Sequence, residues 1–416
     1  MMKKAAVLCL LVLTGTVLAQ QGGVPKGVPN LNHVFFIMME NHGYGQIMNN
    51  PSAPFINSYA QTANLATNYF AVAHPSLTNY LETVGGSNFG VLDDNAPDWH
   101  NASCLPNLQS GVINNESDSS PICPIAGSGT EAPTPALDCT NEVSGPPCDI
   151  NIDGVMSYQA STTVLGITIA DQLAAAGKTW KTYQEDLPQV GPDTVNYSDG
   201  NFTNNTVFPP CPLCNPALST SDIVQLYAVK HNPFAYFAEV QNGTNPLVSY
   251  AQMAPFDGAA GLWSDLATNK LPSLLYIVPN QCNDQHGRGN GTAFCNFDPN
   301  DNGGQDGLNP ALITLGDQAI QKIVNGIHSW SGWTKGHNAI VVTWDENDYS
   351  QQPITNQVVL IVDTNFGFHS LESGQYYTHF SLLRSLEAGF GLPCLNHACD
   401  ASTAVMSDLF TAAPRQ

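Results

Sequence analysis

Four short runs of unbroken apolar residues limit what this chain can fold into. They are HVFFIMM at 33–39, LPSLLYIV at 271–278, NAIVVT at 338–343 and QVVLIV at 357–362. Runs of this length suit strands covered on both faces, the burial found in parallel sheets. Segments with helical periodicity lie between and after them, at 54–66, 168–176, 221–229, 261–268, 310–330 and 378–390. Thr378 makes a good cap for the last of these, and 179–183 reads as a further short strand. The alternation predicts an α/β fold with a mostly parallel central sheet and helices on both faces. No internal repeat is visible.

Compartment follows from the ends and the cysteines. Residues 1–19 read as a secretory signal, with Lys3 and Lys4, a short apolar run and a small-residue cleavage site at Ala19. A Gly/Pro-rich lead-in at 20–32 precedes a single domain at 33–416, interrupted by irregular insertions at about 92–158 and 187–216. Removing Cys9 with the signal leaves ten of the eleven cysteines, an even number suited to disulfides in an exported chain. Cys394 with Cys399 and Cys282 with Cys295 are plausible local pairs, and the insertions read as long disulfide-pinned loops. Cys211 and Cys214 form a CxxC for which a structural disulfide is expected over a metal or redox role. Seven sequons, at Asn101, Asn115, Asn196, Asn201, Asn204, Asn242 and Asn290, are candidate glycan sites if the source is eukaryotic.

Charge narrows the partners. The net charge is −22, with only 12 Lys and Arg, which argues against nucleic acid or an anionic membrane surface. An anionic substrate would need a local cation to reverse the field at the site. No stretch after the signal reaches the length of a membrane span.

The chemistry gathers where three of the strand runs end, the edge at which open α/β sheets bind ligands. Glu40 and Asn41 follow the first run, Asp284 and His286 follow the second, and Asp345, Glu346 and Asp348 follow the third. An oxygen-rich set of this kind suits a hard divalent cation. The segment AVAHPSLTNYLETVGG at 71–86 reads as an extended stretch, a polar break and then a helix. Ser76 would lie in the first turn of that helix, where backbone N–H groups lack partners and negative charge is favoured. Its hydroxyl is then either an N-cap or a nucleophile facing an anion. Asn79 shares its helix face one turn on, and His74 lies just upstream. A bound divalent ion would lower the pKa of the hydroxyl. Histidines 74, 231, 286 and 379 could bind phosphate, protonate a leaving oxygen or complete a metal shell.

The motifs MMENHG, HPSLTNYLETVGG, KHNPF, PNQCNDQH, TWDEND and YTHFSLLRSLE, in this order, resemble the secreted acid phosphatase / phospholipase C type phosphoesterase family. The chain looks most like its acid phosphatase branch, and the family is related in fold to alkaline phosphatase. The resemblance implies that Ser76 is the nucleophile and passes through a phosphoserine. It implies that Glu40, Asn41, Asp345 and Glu346 hold the metal, with Ser76 reaching the same ion, and that Asp284 and His379 are further ligands. His74, Asn79, His231, His286 and Asp348 become phosphate-side or acid/base residues. The chain departs from the family pattern at Thr78, where a proline is usual, while Ser76 and Asn79 keep their spacing. No Cys-x-Pro-x-Arg motif is present, which disfavours the sulfatase relatives. The expectation is an exported, metal-dependent phosphomonoesterase with an acidic optimum, acting on small phosphorylated substrates. Alternatives are a phospholipase C type phosphodiesterase on the same core and a non-catalytic exported binding glycoprotein.

Overall fold

The computed structural model describes residues 21–74, 76–89, 166–187, 201–202, 224–237, 239–240, 243–287, 295–296, 298, 305–348 and 355–410. The signal segment, the 92–158 insertion, almost all of 187–216 with its CxxC, and every sequon except Asn201 lie outside them.

In chain order the strands are β1 (His33–Met39), β2 (Asn64–Ala66), β3 (Tyr69–Phe70), β4 (Trp180–Gln184), β5 (Asn201–Phe202), β6 (Val224–Gln225), β7 (Met253–Ala254), β8 (Leu274–Val278), β9 (Asn338–Trp344), β10 (Leu360–Thr364), β11 (Glu372–Ser373) and β12 (Tyr377–Thr378). The helices are α1 (Tyr44–Ile47), α2 (Pro54–Thr62), α3 (Ser76–Gly85), α4 (Ile169–Ala175), α5 (Leu262–Thr268), α6 (Pro310–Ser329) and α7 (His379–Phe390). Eight strands form the central sheet in the order β11-β2-β10-β9-β1-β8-β4-β7. Only β10 runs against its neighbours in that sheet, so the α/β expectation of a mostly parallel sheet holds.

The central position of β1 explains its sequence. It pairs in parallel with β8 on one side and β9 on the other, so both faces and both edges are covered. From Val34 to Met39 every side chain is buried, and β8 and β9 are buried throughout. With no face left for solvent, the strands read as unbroken apolar runs rather than alternating ones. The register brings Met39 opposite Trp344, so Glu40 and Asp345 leave the sheet side by side.

Several expected boundaries change. The helix read at 54–66 stops at Thr62, and Asn64–Ala66 forms β2. The Asn64 amide donates to the carbonyls of Phe368 and Leu409 and accepts from the Leu371 N–H. Those long-range partners pull the chain out of the helix. The helix read at 221–229 is not formed in its described part. Val224–Gln225 is a strand, and a 3-10 turn covers Val229–His231 before Pro233. There the Leu226 carbonyl accepts from the Gln281 N–H, so tertiary pairing overrides local propensity. The run at 357–362 pairs fully only from Leu360 onward, as β10. Cys282 is bonded to Cys295 and Cys394 to Cys399, the two local pairs expected.

Candidate active site

The carboxyl edge of the sheet and the amino end of α3 meet in one buried cluster. Glu40, His74, Ser76, Asn79, His231, Asp284, Asp345, Glu346 and His379 are all buried there. Ser76 is the first residue of α3. What turns the chain into that helix is Asn79. Its Oδ1 accepts from the Val72 and Ala73 N–H groups at 3.0 Å, and its Nδ2 donates to the Ala73 carbonyl at 2.8 Å. The side chain thus folds the incoming strand back over the first turn. At the other end α3 stops at Gly86, whose φ of 71° and approach to the Leu395 carbonyl leave no room for a Cβ.

The Ser76 hydroxyl donates toward Glu40 Oε2 at 3.1 Å and Glu346 Oε1 at 3.4 Å. Asn79 Nδ2 donates to Glu346 Oε2 at 3.1 Å, and His74 Nδ1 lies 3.0 Å from the same oxygen. His74 Nε2 meets Asn347 Oδ1 at 3.0 Å. His231 is bracketed by carboxylates, with Nε2 3.0 Å from Glu40 Oε1 and Nδ1 3.1 Å from Asp284 Oδ2. Asp345 Oδ1 accepts from the Asn41 and Glu346 N–H groups. Asn41 sits at φ 51°, a left-handed conformation that asparagine tolerates, and it joins the site through this N–H.

The electrostatics are those of crowded acid. Burial pushes the Glu40 carboxyl well above its usual value, and Asp345 and Asp284 push it further. Asp345 rises through burial and then Glu346, partly offset by the Asn41 N–H. Asp284 rises through burial, offset by the His286 N–H bound to its Oδ1.

Two further histidines have defined partners. His379 was expected as a metal ligand, yet both ring nitrogens are taken. Its Nε2 donates to the Asp345 carbonyl at 2.7 Å, and its Nδ1 accepts from the Tyr69 hydroxyl at 2.6 Å. Burial lowers its pKa to about 4, so the ring is neutral and acts as a strut under Asp345. His286, for which phosphate-side, acid/base and metal-shell roles are all open from sequence, stands with His231 and Glu40. One donor atom from each of the three lies within 4.8 Å of the others. Asp348 is half-buried where the loop after β9 opens.

The sequence reading passed over Asn347, which fixes His74, and Tyr80, whose ring stacks on His231 at 5.3 Å and 6°. Tyr80 lies four residues beyond Ser76, one helical turn along the same face, so that signal was present. The contact of His42 with Asp298, at 2.8 Å, bridges residues too far apart for any motif.

A divalent ion fits this donor set. Asp345 Oδ2 is buried with no hydrogen-bond partner among the described residues, and the Glu40, Asp284 and Asp345 carboxyls are raised by burial and by neighbouring carboxylates. Glu40, His231 and His286 supply the oxygen and two nitrogens of a transition-ion set.

The phosphoesterase family model matches residues 46–296, well over half of the chain. The chain belongs to the phosphoesterase family. Relatives of this phosphoesterase include a phosphatidylinositol-3-phosphatase from Mycobacterium tuberculosis, 24% identical over 92% of this chain and 84% of that one. An acid phosphatase from Aspergillus fumigatus is 23% identical over 88% of this chain and 56% of that protein. Among solved structures, an alkaline phosphatase superfamily protein from Vibrio parahaemolyticus matches with a TM-score of 0.45 and 10% identity, over 90% of this chain and 69% of that one. The phosphoesterase is a phosphoester hydrolase, and no helix among its described residues is long and apolar enough to cross a membrane.

Proposed function

We propose that the chain is an exported, metal-dependent acid phosphatase that hydrolyses phosphate monoesters through a phosphoserine at Ser76. The observation that carries this reading is the Ser76 hydroxyl, at the start of a ten-residue helix and within hydrogen-bond reach of two buried carboxylates. The names of the mycobacterial and fungal relatives, both phosphatases, favour a monoester over a diester. The two disulfides suit an oxidising compartment.

Glu40, His231, His286 and Asp345 would hold the ion, with Asp284 and Glu346 beside them. When bound, the ion supplies Lewis acidity, drawing charge from a phosphoryl oxygen and acidifying the serine hydroxyl. The chain does the rest. Glu40 or Glu346 takes the Ser76 proton as Oγ bonds to phosphorus, the P–O ester bond breaks and the leaving oxygen takes a proton from solvent water. The amino end of α3, the positive end of its dipole, would favour the charge of the transferred phosphoryl group on Ser76. Asn79 and His74 keep Glu346 in reach of the hydroxyl. Water then attacks phosphorus, the P–Oγ bond breaks, phosphate leaves with the water's oxygen, and the carboxyl returns its proton to Oγ.

The test compares kcat/KM on an aryl phosphate monoester, a diaryl phosphate diester and phosphatidylcholine, at pH 4 to 8. A monoester preference of tenfold or more, greatest below pH 7, is expected. Faster turnover of phosphatidylcholine would replace this reading with the phospholipase C one.

A further inference from the structure

Three turns leave the carboxyl edge of the sheet side by side, and each is tied to the next. The Glu40 N–H donates to the Asp284 carbonyl at 2.9 Å, and the Asp345 N–H donates to the Met39 carbonyl at 2.9 Å. Those two links run from backbone to backbone, so side-chain identity does not decide them. The link between the turn after β8 and the end of β9 is of another kind. The Trp344 indole N–H donates to Gln285 Oε1 at 2.9 Å. The same amide donates through Nε2 to the Ile313 carbonyl of α6 at 3.0 Å. Gln285 is fully buried, and both ends of its amide are engaged inside the protein.

Gln285 stands between Asp284 and His286 with a φ of 80°. Glycine enters that left-handed region freely, whereas a residue with a Cβ enters it at a cost. The turn presents both neighbours to one centre. Asp284 Oδ2 lies 3.1 Å from His231 Nδ1, and His286 stands with Glu40 and His231. A glycine would relieve the backbone and supply no amide. α6 makes room for the longer side chain, because at Gly316 a Cβ would come within 2.6 Å of three Gln285 side-chain atoms. The base of the turn is held separately. Glu185 Oε2 accepts from the Asn280 N–H at 3.0 Å and from Asn283 Nδ2 at 2.8 Å. Gln285 therefore governs the tip, where Asp284 and His286 are.

We propose that Gln285 is a positioning residue of the Ser76 centre. Its amide clamps the turn that carries Asp284 and His286 to Trp344, the residue before Asp345, and the clamp holds the backbone at φ 80°. The inference rests on the proposed reading of this centre as a metal-holding phosphatase site. Without the clamp the turn relaxes, and the Asp284 and His286 donors leave the places that match His231 and Glu40.

The test is a double-mutant cycle on Gln285→Met and Trp344→Phe, read as the free zinc concentration that half-fills the full chain in equilibrium dialysis. Methionine fills the volume of glutamine without its hydrogen bonds, and phenylalanine keeps a ring without the indole N–H. Each single variant is expected to need about tenfold more zinc than the wild type, as when partners that orient metal ligands are removed. The double variant should need no more than about twice what Gln285→Met needs, because both substitutions cut one link. Independent packing losses would instead multiply to about a hundredfold. With cobalt in place of zinc, the visible absorption of the loaded protein should shift in Gln285→Met, a change that lost packing with an unaltered ligand set would not produce. Wild-type zinc affinity in either single variant overturns the clamp. So does a multiplied loss in the double variant, an unchanged cobalt spectrum, or a wild type that takes up no zinc. If the methionine variant does not fold, Gln285→Gly, which removes the strain with the side chain, is read in its place by the same criteria. Turnover of an aryl phosphate that survives Ser76→Ala overturns the phosphatase reading alone, and the zinc result still decides the clamp.

Discussion

At Ser76 one hydroxyl faces two carboxylates, from segments 36 and 270 residues away. Ser76→Ala removes one oxygen and leaves the packing of α3 intact. Turnover of an aryl phosphate should fall on the order of 10³-fold or more, with the melting temperature near that of the parent. Retained turnover in a steady-state assay would remove Ser76 from the chemistry. Asn79 behaves differently, because its amide does structural work as well. Asn79→Ala removes the acceptor Oδ1 of the Val72 and Ala73 N–H groups and the donor to the Ala73 carbonyl, so stability should drop by about 2 to 4 kcal/mol on top of the loss of activity. Urea unfolding of the variant checks this, and an unchanged midpoint would show that the loop does not depend on the amide.

Among the elements, α7 carries a pH dependence of its own. Burial pushes Glu387 up to about 9, while its Oε1 accepts from the Leu395 N–H. Its folded pKa therefore exceeds its unfolded value of about 4.3. The stabilising contribution of the neutral form is fully present below the unfolded pKa and is lost as pH rises through 9. E387Q keeps an acceptor and removes the charge, so its melting temperature should fall less than that of the wild type between pH 5 and 9. Parallel pH profiles would exclude Glu387 as the cause. The same scale shows what sequence could and could not reveal. β1, β8 and β9 were legible because a strand with neighbours on both sides has no polar face to break the run. β2 was not, since three residues beside a helix are held there by Asn64 contacts some 300 residues away. The position of His379 at the start of α7 was legible. That both its nitrogens are engaged was not, because the Tyr69 hydroxyl and the Asp345 carbonyl are brought to it only by tertiary packing. The shared position of Glu40, Asp345 and Glu346 was readable because they directly follow strand runs, and strand ends in one parallel sheet share an edge.

For the whole molecule the difficulty is charge. A chain of net charge −22 buries Glu40, Asp284, Asp345 and Glu346 in one place. On the proposed reading a bound divalent ion would relieve their mutual repulsion, so that removing it should cost stability as well as turnover. Dialysis against a chelator is expected to lower the melting temperature and abolish activity, and zinc or another divalent ion should restore both. An unchanged melting temperature with intact turnover would mean that protons alone neutralise the cluster. The account rests most heavily on the covalent step. Its direct measurement is an acid quench during turnover of an aryl phosphate, followed by mass spectrometry of the peptides. The account predicts a phosphoryl group on Ser76 in the wild type and none in Ser76→Ala; phosphate on another residue, or none on any peptide at saturating substrate when dephosphorylation limits turnover, would contradict it.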